Sequence, residues 1–230
     1  MPGIGDVVLT KKRGQRTIRL RISARGEVHV TAPWLVPQQH ALNFVLAKKE
    51  WILSQQKQSA VRFYSGMAFG KNMNLNIIEH SAREHSRITR NILTVQLKGS
   101  YTKTKDQNQI IEKAIIRALR KESENLLLPH LDSMSASSGI DYSSATVKQL
   151  TGRWGSCDSR QNIVLSLFLV QLPWKLIEYV MIHELAHTMH LNHSAAFWTE
   201  VENHCPDYRD RRKHMKTWQP RIYEANAFMA

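Results

Sequence analysis

His183-Glu184-Leu185-Ala186-His187 lies inside an apolar run that also holds Ile177, Val180, Met181 and Ile182. Such a run reads as a buried helix. Two histidines four apart stand one above the other on one helix face, so both imidazoles can reach a single ion. Buried ionisable side chains need partners, and a metal ion partners all three of these at once. The glutamate next to the first histidine is placed to take a proton from water activated by that ion. The competing reading, a solvated helix that happens to carry two histidines, does not suit such apolar flanks. One short motif therefore constrains the local fold, the ligand chemistry and the reaction type, a metal-dependent hydrolysis.

A catalytic zinc takes three protein ligands and leaves one position open. His190 follows three residues after His187, but on a straight helix it stands about 10 Å along the axis from His183. Three side chains so spread converge poorly. Asn192 tolerates the left-handed conformation that ends many helices, and Ser194 can cap a new helix from Ala195 to about Asn203. His193 then falls in the turn and can swing back, which makes it the expected third ligand. Glu200, Glu202 and His204 are the rivals. Cys157 is a less favoured one.

Other segments organise around this helix. Ile18, Leu20 and Ile22 alternate with Arg19 and Arg21, which predicts a half-buried strand over 17–23. It turns at 24–27 into Val28-His29-Val30 as a hairpin. Pro37 opens a helix to about Gln58 with a stripe of Ala41, Phe44, Val45, Lys48, Trp51 and Ile52. Short strands are expected around Asn74–Ile78, Ile88–Ile92 and Thr94–Lys98. A long amphipathic helix runs from Gln107 to Leu128 with Ile110, Ile111, Ala114, Ile115, Ala118 and Leu119 inward. Ser133 to Ser138, ending at Gly139, reads as a linker or loop. Thr146–Leu150 and Ile163–Phe168 read as a strand pair around the turn 153–162, and Pro173 as the first position of the metal helix. Strands before the site and helices around it give an α+β fold. The expected organisation is one domain over 1–230, with an N-terminal strand and helix part at about 1–138 and a metal-site part at about 139–220.

The order Gly152-Arg153-Trp154-Gly155-Ser156-Cys157, Asn162–Leu165, Pro173, the His183 motif, Asn192-His193-Ser194, Phe197-Trp198 and Pro206-Asp207-Tyr208 resembles the YgjP-like metal-dependent hydrolases, relatives of the SprT-like zinc peptidases. Arg16 to Arg21, Gly26-Glu27-Val28, Ala32-Pro33 and Trp51-Ile52 resemble that family's beginning, so the likeness spans nearly the whole chain. It implies a zincin-like metallopeptidase fold, a zinc ion on His183, His187 and His193, and Glu184 as the catalytic residue. The natural substrate stays open.

Read on their own, Arg153 and Tyr208 are candidate substrate-binding residues. Arg153 can hold a developing oxyanion or an anionic group, and Tyr208 can act as a second electrophile. The alternative for both is structural. Trp154 reads as packing and Gly155 as a position needing a special backbone conformation.

Net charge is +13. Lys11, Lys12, Arg13, Arg16, Arg19, Arg21 and Arg25 form one basic cluster, and Arg209, Arg211, Arg212, Lys213 and Lys216 a second. These suit nucleic acid or an anionic substrate, or are simply solvated faces. Two cysteines make no disulfide framework, and no apolar run approaches a membrane span, so a cytoplasmic setting without membrane attachment is expected. The chemistry expected is a zinc-dependent peptidase acting on peptide or protein. A nucleoside triphosphate phosphohydrolase on the same site is the alternative enzyme. A nucleic-acid-binding protein with a structural zinc is the alternative of another class.

Overall fold

The computed structural model describes residues 4–22, 27–53 and 63–225. The chain forms two compact units, Met1–Arg62 and Phe63–Ala230.

In the first unit, β1 (Val7–Lys12), β2 (Arg19–Ile22) and β3 (Val28–Pro33) make a sheet in the order β1-β3-β2. β2 and β3 pair antiparallel with Leu20 opposite Val30 and Ile22 opposite Val28, as the alternating pattern predicts. The expected turn at 24–26 lies outside the described residues. β1 pairs parallel to β3. Val28, Val30 and Ala32 face inward and pack with Ala41 and Val45 of α1 (Gln38–Ala47). The helix expected to run unbroken from Pro37 is interrupted at Lys48 and resumes through Ile52, and its continuation past residue 53 lies outside the described residues. Ile52 is buried, whereas Trp51, placed in the same inward stripe, is 46% exposed.

The second unit opens with a four-stranded sheet, β4-β5-β7-β6, made of β4 (Ala68–Phe69), β5 (Met73–Ile78), β6 (His85–Thr89) and β7 (Ile92–Gln96). The tight turn falls at Arg90, whose φ of 53° is left-handed, inside the strand expected over Ile88–Ile92. α2 (Lys105–Ser138) is the scaffold of this unit. Thr104 caps it by accepting from the Gln107 amide, and Gly139, at φ 71°, ends it. It buries Ile111, Ala114, Ile115, Ala118 and Leu119 as the periodicity predicts.

Ser133–Ser138 is not a linker. It is the last turn and a half of α2, because Leu131 and Ser135 are buried there and the Ser135 hydroxyl donates to the Ile140 carbonyl. Packing overrides the weak helix propensity of serine. Next come β8 (Ser144–Lys148), β9 (Gly155–Cys157) and β10 (Asn162–Ser166), in the order β8-β10-β9. β8 and β10 do pair, but in parallel, and it is β9 that makes the antiparallel hairpin with β10. A 3-10 turn, Leu167–Gln171, follows, with every residue buried. It packs against α2, where the Ser123 hydroxyl donates to the Leu167 carbonyl at 2.9 Å. This turn delivers the chain to α3 (Trp174–Met189) after Pro173. α4 (Ala195–His204) and α5 (Tyr208–Met215) then pack back on α3. No described helix is long and apolar enough to cross a membrane.

Candidate metal centre

α3 carries His183, Glu184 and His187 on a rigid, buried frame. Ile177, Met181, Leu185 and Ala186 are fully enclosed. The helix stops at His190, two residues before Asn192, and His190 adopts extended backbone (φ −132°) rather than the left-handed form. The reason is local. The His190 amide still donates to the Ala186 carbonyl, while its own carbonyl accepts from His187 Nδ1 at 2.9 Å. A carbonyl only accepts, so His187 donates from Nδ1, and Nε2 is the nitrogen left to face a ligand. A ligand histidine is commonly fixed this way, by a bond from its other nitrogen. Ser194 caps α4 by accepting from the Phe197 amide. His193, in the short connection, returns over α3.

The result is a cluster in which one ligand atom from each of His183, His187 and His193 lies within 4.8 Å of the others. The Nε2 atoms of His183 and His193 are 3.1 Å apart. Two nitrogens sharing a zinc ion at about 2.0–2.1 Å in tetrahedral geometry stand about 3.3 Å apart, so the cluster fits a cation at its centre. Electrostatics agree. His183 is pushed down to about 3 by burial and then by His187, His193 and Arg212. His193 is lowered by burial and by the same neighbours, His187 and Arg212. Neutral imidazoles are the ligand form. His183 Nδ1 is buried without a hydrogen-bond partner.

The rivals for the third position are elsewhere engaged. His204 and Glu200 face each other at 3.0 Å, and Glu202 pairs with Arg209 at 2.7 Å. Cys157 is half-buried, its thiol pushed up to about 11 by burial, with Glu184 and Asp158 adding to the rise. No metal-sized group among the described residues includes it.

Glu184, next to His183 on α3, is buried against β9. A Cβ on Gly155 would stand 2.6 Å from its Oε1. Gly155 is thus needed for close approach and not for a positive φ, which it does not have. Burial pushes the Glu184 carboxyl up to about 8, against an opposing pull from Arg153. Arg153 is exposed at the entry to β9.

Several neighbours are not evident from the motif. Phe197, fully buried, has its ring centroid 4.5–5.0 Å from those of all three histidines. Tyr179, one turn before His183, lies 6.0 Å from it ring to ring, and burial raises its hydroxyl to about 12. Trp198 stacks on His193 at 5.5 Å, and Tyr208 stacks on Trp198 at 5.3 Å. Tyr208 is buried in that stack. The Arg212 guanidinium lies over Trp198 at 4.5 Å. Of these, Tyr208 is a candidate the sequence itself offers, and Tyr179 sits at the i−4 position of the first histidine.

Fold and site together describe an α+β protein that gathers three imidazoles next to a buried carboxylate. Residues 16–217 match the family profile described as YgjP-like, metallopeptidase domain, and the chain belongs to that family. Membership places it among the metal-dependent hydrolases. A search of curated proteins finds no match. Among solved structures, the crystal structure of the metallopeptidase zymogen of Pyrococcus abyssi abylysin is similar over 40% of this chain and 94% of that one, at 22% identity and a TM-score of 0.34.

Proposed function

We propose that this protein is a zinc-dependent peptidase in which His183, His187 and His193 hold the ion and Glu184 moves the proton. The observation that carries the proposal is the convergence of three ligand nitrogens within 4.8 Å of one another, next to a carboxylate buried under an edge strand. Bound there, zinc supplies a Lewis acid that polarises a carbonyl and makes water nucleophilic near neutral pH. Glu184 accepts the proton of the attacking water and returns it to the leaving amine. A buried carboxyl with a raised pKa suits both steps, because a general base works best when poised near the operating pH. β9 is the last strand of its sheet, so an extended peptide backbone can add beside it and present its carbonyl to the site. Arg153, two residues before that strand, is proposed to draw the substrate's oxygen or an acidic group. Tyr208 backs Trp198 in the wall next to His193. No fourth ligand joins the three among the described residues, which favours an open catalytic position over a closed structural site. The free thiols of Cys157 and Cys205 suit a reducing, cytoplasmic compartment.

A second enzyme reading, hydrolysis of a nucleoside triphosphate, draws on Arg153 and Arg212, whose charges both act on groups of the site. Product analysis separates the readings. Metal-replete protein is incubated with unfolded protein and, separately, with nucleoside triphosphates, each with and without chelator. New peptide amino termini that disappear with chelator are the expected result. Chelator-sensitive phosphate or pyrophosphate release without proteolysis selects the second enzyme. No hydrolysis of either substrate by a zinc-loaded protein returns the chain to a structural-zinc adaptor.

A further inference from the structure

The positive charge of the chain is concentrated in its first unit. Met1–Arg62 contains eleven lysines and arginines against three acids, a net +8 of the total +13. The sheet then sorts this charge by face. Val7, Leu9, Leu20, Ile22, Val28 and Val30 turn toward α1. The alternate residues line up across the opposite face, one row joining Val8, His29 and Arg21, the next Thr10, Thr31 and Arg19, with Lys12 beyond them opposite Pro33. Lys12, Arg16, Arg19 and Arg21 form no ion pair with any described residue. At the exit of β3, Trp34 is 55% exposed with the Arg13 guanidinium over its ring at 5.7 Å.

We infer that this sheet face binds single-stranded nucleic acid, with Lys12, Arg19 and Arg21 on the phosphates and the Arg13–Trp34 pair as a stacking platform for a base. Residues on one face of a strand repeat every ~6.8 Å, a spacing of the order of one nucleotide in an extended chain. Arg19 and Arg21 therefore match successive phosphates, while Thr10, Thr31 and His29 supply hydrogen-bonding groups between them. Sheet faces with exposed aromatic and arginine planes recognise unstacked bases. Duplex DNA fits less well, because its major groove admits a helix or a two-stranded ribbon, and this face is three strands wide. A lipid surface also fits less well. The cations share their face with Thr10, Thr31 and His29, Val8 being the one apolar side chain in those two rows, and do not ring an apolar patch.

The test uses the full chain, with metal content held constant, and labelled DNA and RNA single strands of about 15 nucleotides. Binding should be measurable at about 50 mM salt and should weaken steeply as salt rises. Arg19→Ala with Arg21→Ala should flatten the salt slope by about 1.4, two phosphate contacts at ~0.7 each on a single strand. Trp34→Ala should weaken binding about tenfold at every salt concentration, since it removes stacking and not charge. All three side chains are exposed, and an unchanged melting temperature verifies the fold. No binding at low salt, an unchanged slope in the double variant, tighter binding of the matching duplex, or binding only to phosphatidylserine–phosphatidylcholine vesicles would each overturn the inference. Because these residues lie outside the metal centre, hydrolytic activity succeeds or fails independently of this result.

Discussion

Gly155→Ala tests whether the edge strand and the buried carboxylate are built for each other. An alanine Cβ would lie 2.6 Å from Glu184 Oε1, 2.8 Å from its Cγ and 2.9 Å from its Cδ. Ordinary contact begins near 3.4 Å, so the Glu184 side chain must retreat by about 0.5–0.8 Å. β9 cannot easily yield, being held in register with Leu165 opposite Gly155, and neither can α3, whose neighbouring Leu185 and Ala186 are fully buried. Overpacking of this kind costs about 1–3 kcal/mol. At roughly 2–4 °C per kcal/mol for a unit of this size, the melting temperature should fall by about 2–12 °C. Misplacing a catalytic group by about 1 Å costs on the order of 10²-fold in rate. The assay measures turnover, bound metal by elemental analysis and thermal unfolding on one preparation. Turnover should fall by that order with metal retained, because the three imidazoles are not displaced. Adding Glu184→Asp in the same background removes one methylene from the clash and should recover part of the lost melting temperature. A Gly155→Ala protein with wild-type turnover and melting temperature would refute the argument.

Two further outcomes follow from the same geometry. Glu184→Gln should keep the fold and the metal while turnover falls by about 10²–10⁴, and metal-replete Glu184→Gln with wild-type rates would remove the glutamate from the mechanism. Glu122 of α2 accepts amide hydrogen bonds from Lys71 at 3.1 Å and Asn72 at 3.2 Å, and burial raises its pKa above the ordinary value despite those bonds and the Lys71 charge. Its ionised form is therefore disfavoured by folding. The stability it lends is fully present below the unfolded carboxyl value of about 4.3 and is lost as pH rises through the higher folded value. Urea unfolding at pH 4 and pH 7 should show the wild type losing ground to Glu122→Gln at the higher pH, and parallel curves would contradict the sign.

Much of the centre was legible because it is local. His183, Glu184 and His187 share one helical segment, and a break before a serine cap puts His193 within reach. The break itself was misplaced, because the residue that ends α3 is held by a bond to the His187 side chain and not by a left-handed asparagine. Strand direction was not legible. β8 and β10 have the alternation of a hairpin, yet β9 takes the antiparallel place and leaves them parallel, a choice made by packing on α2 and α3. Ser133–Ser138 has loop composition, but its buried faces keep it helical. The contacts of Phe197, Trp198 and Arg212 with the site, and that of Gly155 with Glu184, join segments distant in sequence. No periodicity encodes them.

Metal stoichiometry, compared between the wild type and His193→Ala, decides whether the three imidazoles form a metal site. One tightly bound divalent ion per chain is expected, zinc by preference, with a marked loss of affinity in the variant, because His193 supplies one of three ligand nitrogens that lie within 4.8 Å of one another. A folded His193→Ala protein that holds its ion as tightly as the wild type would contradict that expectation.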